Sequence, residues 1–199
     1  MSRLIVVATG NAGKVKEFAN AFEQSPCEFK TQKEMGFFED VVENGKTFKE
    51  NAEIKARAVF EFLKSKGIVA AVLSDDSGLE VKALNGAPGI YSARYAGKHG
   101  DSTANCKKLL LELQTKKDRS ARFVSMLCLI DEKGKAYFFE GTCPGKIISE
   151  FRGKNGFGYD PIFVPEGESQ TFAEIPLEKK QMMSHRGHAV ENLKASGLL

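Results

Sequence analysis

Leu4-Ile5-Val6-Val7-Ala8 is apolar at every position, and a Gly-containing turn, Thr9-Gly10-Asn11-Ala12-Gly13, follows it at once. A strand with one wet face alternates apolar and polar residues; an unbroken apolar run needs cover on both faces. The next stretch, 14–23, places Val15, Phe18, Ala19 and Phe22 on one helical face. Strand, turn and amphipathic helix in succession define an α/β protein. A second apolar run, 68–73, ends in Ser74-Asp75-Asp76-Ser77-Gly78. The Ser-Gly pair predicts that the strand stops there, which would free the chain to aim the two acids independently.

The rest of the chain supplies elements for such a fold. In 47–65, Phe48, Ala52, Ala56, Val59 and Leu63 step by three or four and form a core-facing stripe, and Gly67 marks the stop. Asn85-Gly86-Ala87-Pro88-Gly89 is a turn cluster, 101–114 is a further helix, and 121–130 and 136–143 form a hairpin across Asp131-Glu132-Lys133-Gly134. Glycines and Pro161 make 153–161 a loop, and a helical pair flanks Ser184-His185-Arg186-Gly187. With 199 residues, no repeat and no long linker, a single domain over 1–199 is expected, able to bury its core without staples.

Charge and cysteine usage exclude several functions. A net charge of +3, spread along the chain, does not make a nucleic-acid surface. Cys27, Cys106, Cys128 and Cys143 contain no CxxC pair, so zinc and thioredoxin-like motifs are absent. No stretch has the length of a membrane span and the first apolar run is too short for a secretory signal, so a reducing, cytoplasmic setting is expected.

Three constellations carry chemistry. Gly10, Gly13 and Lys14 stand where a strand meets a helix, a position that attracts anions. This is not a Walker A loop, because Ala8 replaces its first Gly and Val15 its Ser or Thr; a plain turn with a solvated lysine is the other reading. The second is acidic. Asp75 and Asp76 end a strand where α/β sheets place ligands; Glu43 and one of them could hold Mg²⁺ while the other orients or deprotonates water, and an Asx turn is the bland alternative. On the 47–65 helix, Thr47, Asn51 and Lys55 share a ridge, so Lys55 could lean toward such a site. The third lies in two later segments. Gly156-Phe157-Gly158-Tyr159-Asp160 exposes two aromatic rings among glycines for stacking, with Asp160 to accept from a base edge. Lys180, His185 and Arg186 supply donors suited to a purine 6-keto oxygen. Packing, surface charge and a Ser184 helix cap are the ordinary readings of these residues.

Taken together, these motifs resemble the inosine triphosphate pyrophosphatase family, hydrolases of non-standard purine nucleoside triphosphates. The likeness spans nearly the whole chain: Thr9-Gly10-Asn11 with Lys14, Thr47-Phe48 through Lys55-Ala56, Ser74-Asp75-Asp76-Ser77-Gly78-Leu79, Gly86 to Arg94, Gly156 to Pro161 and Ser184-His185-Arg186-Gly187. The resemblance implies an elongated two-lobed α/β protein, a twisted mixed sheet flanked by helices, with a substrate cleft between lobes, and assembly as a homodimer. It implies that Thr9, Gly10, Asn11, Ala12, Gly13, Lys14 and Lys55 hold the triphosphate and that Ser77 touches the substrate. Phe157, Gly158, Tyr159, Asp160, Lys180, His185 and Arg186 would recognise the base. Glu43 and Asp76 would hold Mg²⁺, Asp76 would be the base, and Asp75 would support metal or water. The implied reaction converts ITP, dITP or XTP to the monophosphate and pyrophosphate, which keeps deaminated purines out of DNA and RNA. A nucleotide-binding module without turnover, or a pyrophosphatase for other modified nucleotides, stands as the alternative.

Overall fold

The computed structural model describes residues 2–199. Strands β1 (Leu4–Ala8), β2 (Glu28–Thr31), β3 (Ala71–Val81), β4 (Ser120–Ile130), β5 (Ala136–Ile147) and β6 (Phe163–Pro165) form a sheet in the order β2-β1-β3-β4-β5-β6. β1 runs parallel to β2 and β3, whereas β5 and β6 are antiparallel, so the sheet is mixed. The helices are α1 (Ala12–Ala21), α2 (Phe48–Ser65), α3 (Ser102–Glu112), α4 (Leu177–Met183) and α5 (His185–Ala195). Among the described residues no helix is long and apolar enough to cross a membrane.

The chain folds into two compact units. One holds the stretch ending at Asp76 together with Ser125–Glu140 and Ala189–Leu199; the other holds Ser77–Val124 and Gly141–His188. The first unit explains the unbroken apolar run of β1. Ile5 and Val7 join Leu73, Leu127 and Leu129 under Phe18 of α1, Phe22 at its C-terminal cap and Leu193 of α5. Val6 and Ala8 face the other way and join Val72, Cys128 and Ile130 under Ala52, Ala56, Val59 and Leu63 of α2. This is the period-2 pleat with a helical layer on either side. Each large side chain so buried contributes about 1.5–3 kcal/mol. In the second unit, Leu79, Val81 and Phe123 pack with Leu109 of α3, with Leu113 at its C-terminal cap and with Phe163 and Phe172.

Local chemistry sets the helix starts. Asn11 caps α1 by accepting from the Lys14 N–H at 3.1 Å. Thr47 caps α2 by accepting from the Glu50 N–H at 3.1 Å, and the Glu50 carboxylate accepts from the Lys46 N–H at 2.6 Å, a Thr-x-x-Glu capping arrangement.

Several boundaries differ from the sequence expectation. Gly13 and Lys14 lie inside the first turn of α1, because the cap is Asn11 and the helix opens at Ala12. His185, Arg186 and Gly187 lie in the first turn of α5 rather than between helices, since Ser184 Oγ accepts from the Gly187 N–H at 3.0 Å. β2 and β6 have no counterpart in the sequence reading; at four and three residues they carry too little pattern to show. The largest correction is β3, which does not stop at Ser77-Gly78 but continues to Val81. Leu79 and Val81 are fully buried there, and the Leu79 N–H donates to Ser92 Oγ at 2.9 Å.

Candidate active site

The continuity of β3 decides the geometry of its paired acids. Adjacent residues on a strand face opposite ways, so Asp75 follows Leu73 toward the α1 side and Asp76 follows Val72 and Ser74 toward α2. Each acid has its own lysine. Lys14 Nζ lies 3.0 Å from Asp75 Oδ2 and donates to the Asp75 carbonyl at 3.2 Å. Lys55 Nζ donates to Asp76 Oδ1 at 2.9 Å and lies 3.3 Å from Glu43 Oε1. The expectation that both acids would be aimed by a broken strand is therefore replaced by two separate ion pairs, one on each face.

Asp76 is 6% exposed, and its Oδ2 is buried with no hydrogen-bond partner. Burial pushes its carboxyl above the ordinary carboxylate range, and Glu43 adds to this against the pull of Lys55 and Lys14. Burial alone would depress the Lys55 ammonium, but the carboxylates of Asp76 and Glu43 outweigh it and hold it above the ordinary lysine value. Glu43 is brought to this group by a pinned segment. The Gly45 N–H donates to Asn51 Oδ1 at 2.8 Å, and a Cβ at Gly45 would stand 2.6 Å from that oxygen. Asn51, seen in the sequence only as part of a helical ridge, is a fully buried anchor.

The turn before α1 presents backbone. Thr9 Oγ1 accepts from the Asn11 N–H at 3.2 Å, and Gly10 and Asn11 are exposed. Ala12 and Gly13 open the helix, so their N–H groups belong to the first turn that has no intrahelical acceptors. The N–H groups of Gly10, Ala12 and Gly13 thus form a ledge of donors suited to an anion, while those of Thr9, Asn11 and Lys14 are held within the turn by the Val7 carbonyl, Thr9 Oγ1 and Asn11 Oδ1.

In the second unit another group gathers around Phe157, which is half-buried. Lys180 Nζ lies 5.1 Å from its ring centroid and Arg186 Cζ 5.8 Å, both within cation–π range. Arg186 Nη2 donates to Ser77 Oγ at 2.9 Å. His185 stacks on Phe123 with centroids 4.7 Å apart. Two expectations change here. Tyr159 is not exposed: it is 3% accessible, packs in the core and donates its hydroxyl to the Ser92 carbonyl at 2.9 Å. Asp160 faces inward, where Oδ2 accepts from Lys180 Nζ at 2.7 Å and from the Phe157 N–H at 2.9 Å. It organises the loop that carries Phe157, and Gly156 is required beside it: its φ is +75°, and a Cβ would lie 2.1 Å from Asp160 Oδ2. Gly158 likewise holds a φ of +62°.

Ser125 escaped the sequence reading. Its hydroxyl, fully buried, donates to Asp75 Oδ1 at 2.7 Å. The signal was a lone hydroxyl inside the apolar run Phe123-Val124-Ser125-Met126-Leu127, since a buried polar group needs a partner. Among the described residues no three His, Cys, Asp or Glu side chains are grouped to hold a metal by themselves.

An α/β sheet with an anion-receptive ledge and paired Lys–carboxylate sites defines the general class, an α/β protein built to receive an anionic ligand. The Ham1 family profile matches residues 5–196, and the chain belongs to that family. A curated relative from Desulfotalea psychrophila, a dITP/XTP pyrophosphatase, is 47% identical over 195 residues, which cover 98% of this chain and 85% of the relative. The dITP/XTP pyrophosphatase of Clostridium perfringens is 45% identical over 192 residues, 95% of this chain and 94% of that one. Among solved structures, a HAM1 protein from Coxiella burnetii superimposes with a TM-score of 0.85 at 39% identity, covering 98% of both chains. The Staphylococcus aureus Ham1 protein gives 0.84 at 41% identity, over 98% of this chain and 97% of that one.

Proposed function

We propose that this chain hydrolyses non-standard purine nucleoside triphosphates such as dITP, ITP and XTP to the nucleoside monophosphate and pyrophosphate, which removes deaminated purines from the precursor pool. Beside the family membership, one observation carries the reading: Lys55 joined to both Asp76 and Glu43, with Asp76 Oδ2 buried and without a partner. A buried carboxylate oxygen left unpaired costs about 1–3 kcal/mol or more, so simple binding does not explain it. A base that takes a proton from water, or an oxygen that meets a cation, does.

The residues fit Mg²⁺. Two carboxylates, Glu43 and Asp76, would hold it, the remaining positions falling to phosphate and water oxygens, which is how this ion is commonly bound. When bound, the ion would stabilise charge that develops on the phosphates during displacement. Lys14 and the N–H groups of Gly10, Ala12 and Gly13 grip the triphosphate, and Lys55 offsets its charge. Asp76 accepts the proton of the attacking water. Around Phe157, the ring stacks on the base, while Lys180 and Arg186 offer donors that a 6-keto oxygen accepts and a 6-amino group does not. The reading carries with it a reducing, cytoplasmic setting, with which four free cysteines agree, and assembly as a homodimer, which sedimentation would test.

The experiment is ³¹P NMR of the products from dITP with and without Mg²⁺. Monophosphate and pyrophosphate are expected, with turnover abolished by EDTA and restored by Mg²⁺. Release of orthophosphate and a diphosphate, or turnover indifferent to EDTA, contradicts the proposal.

A further inference from the structure

Lys14 is a long, flexible side chain, and a phosphate ligand is effective only when its ammonium is held in place. Three elements converge to do this. Lys14 comes from α1, Asp75 from β3 and Ser125 from β4. The ammonium meets residue 75 twice, at Oδ2 (3.0 Å) and at the backbone carbonyl (3.2 Å). The other carboxylate oxygen, Oδ1, accepts from Ser125 Oγ at 2.7 Å. Both Asp75 and Ser125 are buried, at 1% and 0% exposure. They stand on the sheet face where Leu73, Leu127 and Leu129 are apolar. Packing alone would be met there by two more apolar residues. An acid beside an anion-binding lysine also weakens the attraction for phosphate, so charge alone does not account for Asp75 either.

We propose that Ser125 and Asp75 are positioning residues: Ser125 sets the rotation of the Asp75 carboxylate, and Asp75 holds the Lys14 ammonium where the triphosphate is gripped. The inference rests on the reading of Lys14 as a phosphate ligand. It predicts that Ser125, which touches no phosphate, acts through Lys14 and not beside it.

The test is a double-mutant cycle. KM and kcat for dITP, and competitive inhibition by inorganic pyrophosphate, are measured for wild type, Lys14→Met, Ser125→Ala, Ser125→Thr and the Lys14→Met/Ser125→Ala pair. Lys14→Met is expected to raise KM and the pyrophosphate inhibition constant by about tenfold or more, as loss of a charged hydrogen bond does. Ser125→Ala should raise both by roughly three- to tenfold, more than it changes kcat, and Ser125→Thr should recover most of the loss. The pair should be no worse than Lys14→Met alone. Effects of Ser125→Ala that multiply with those of Lys14→Met, or a folded Ser125→Thr that recovers nothing, overturn the proposal while leaving the phosphate reading intact. If Lys14→Met itself changes neither quantity, the phosphate reading fails and the proposal with it. Should Ser125→Ala not fold, Ser125→Cys, near-isosteric with a weaker donor, takes its place in the cycle.

Discussion

One peptide bond separates Asp75 from Asp76, yet the pleat gives them different partners and different work. Asp75 answers to Lys14 and Ser125, Asp76 to Lys55 and Glu43. The isolated pair of letters looked like a strand end; the buried Leu79 and Val81 beyond it were the clue to continuation. Partners 61 and 21 residues away cannot be read from local pattern, so which acid does what became legible only with the fold. Asp76→Asn tests the division. It should lower kcat by orders of magnitude while nucleotide binding, followed by calorimetry, changes little, because the amide can still accept from Lys55 but cannot take a proton. A variant that retains kcat would move the base elsewhere.

Elements hold these residues by a few tight contacts. α2 was visible in the sequence over nearly its full length, since its apolar stripe and capping residues are local signals. The pinning of the Glu43 segment by Asn51 was not, because it depends on a close backbone approach at Gly45. The loop after β5 follows the same rule: its glycines were plain in the sequence, but the direction of Asp160 was not. That acid and Lys180 form a pair with side chains 4% and 5% exposed. Removing one member of a buried pair strands the other and costs about 3–5 kcal/mol. Lys180→Met should therefore lower unfolding free energy by that order in urea titrations, whereas Lys179→Met, at an exposed pair with Glu168, should change it by less than about 1 kcal/mol. Equal effects would show that the buried pair does not hold the loop.

Over the whole molecule, the α/β class was legible because both-faced burial of β1 is written in five consecutive residues, whereas β2 and β6 are too short to announce themselves. The thiols report on the cores directly. Burial pushes Cys106, Cys128 and Cys143 from 9.0 up to about 12. The folded chain therefore keeps these protons where an unfolded chain releases them. The stabilisation is fully present below the ordinary thiol value and is lost as pH rises toward about 12, by up to about 1.4 kcal/mol per pH unit for each thiol. Urea midpoints should fall across that window, less steeply in Cys128→Ala, and a thiol reagent at neutral pH should label only the half-buried Cys27 in the folded protein. Labelling of all four without unfolding would contradict this packing.

The central claim is selectivity for purines that carry a 6-keto oxygen without the 2-amino group that guanine adds to it. Pyrophosphate release with Mg²⁺ from the triphosphates of inosine, xanthosine, guanosine, adenosine and thymidine measures it directly. Strong turnover of the first two and little of the other three is the predicted result. Equal rates across all five, or no release from any, would contradict it.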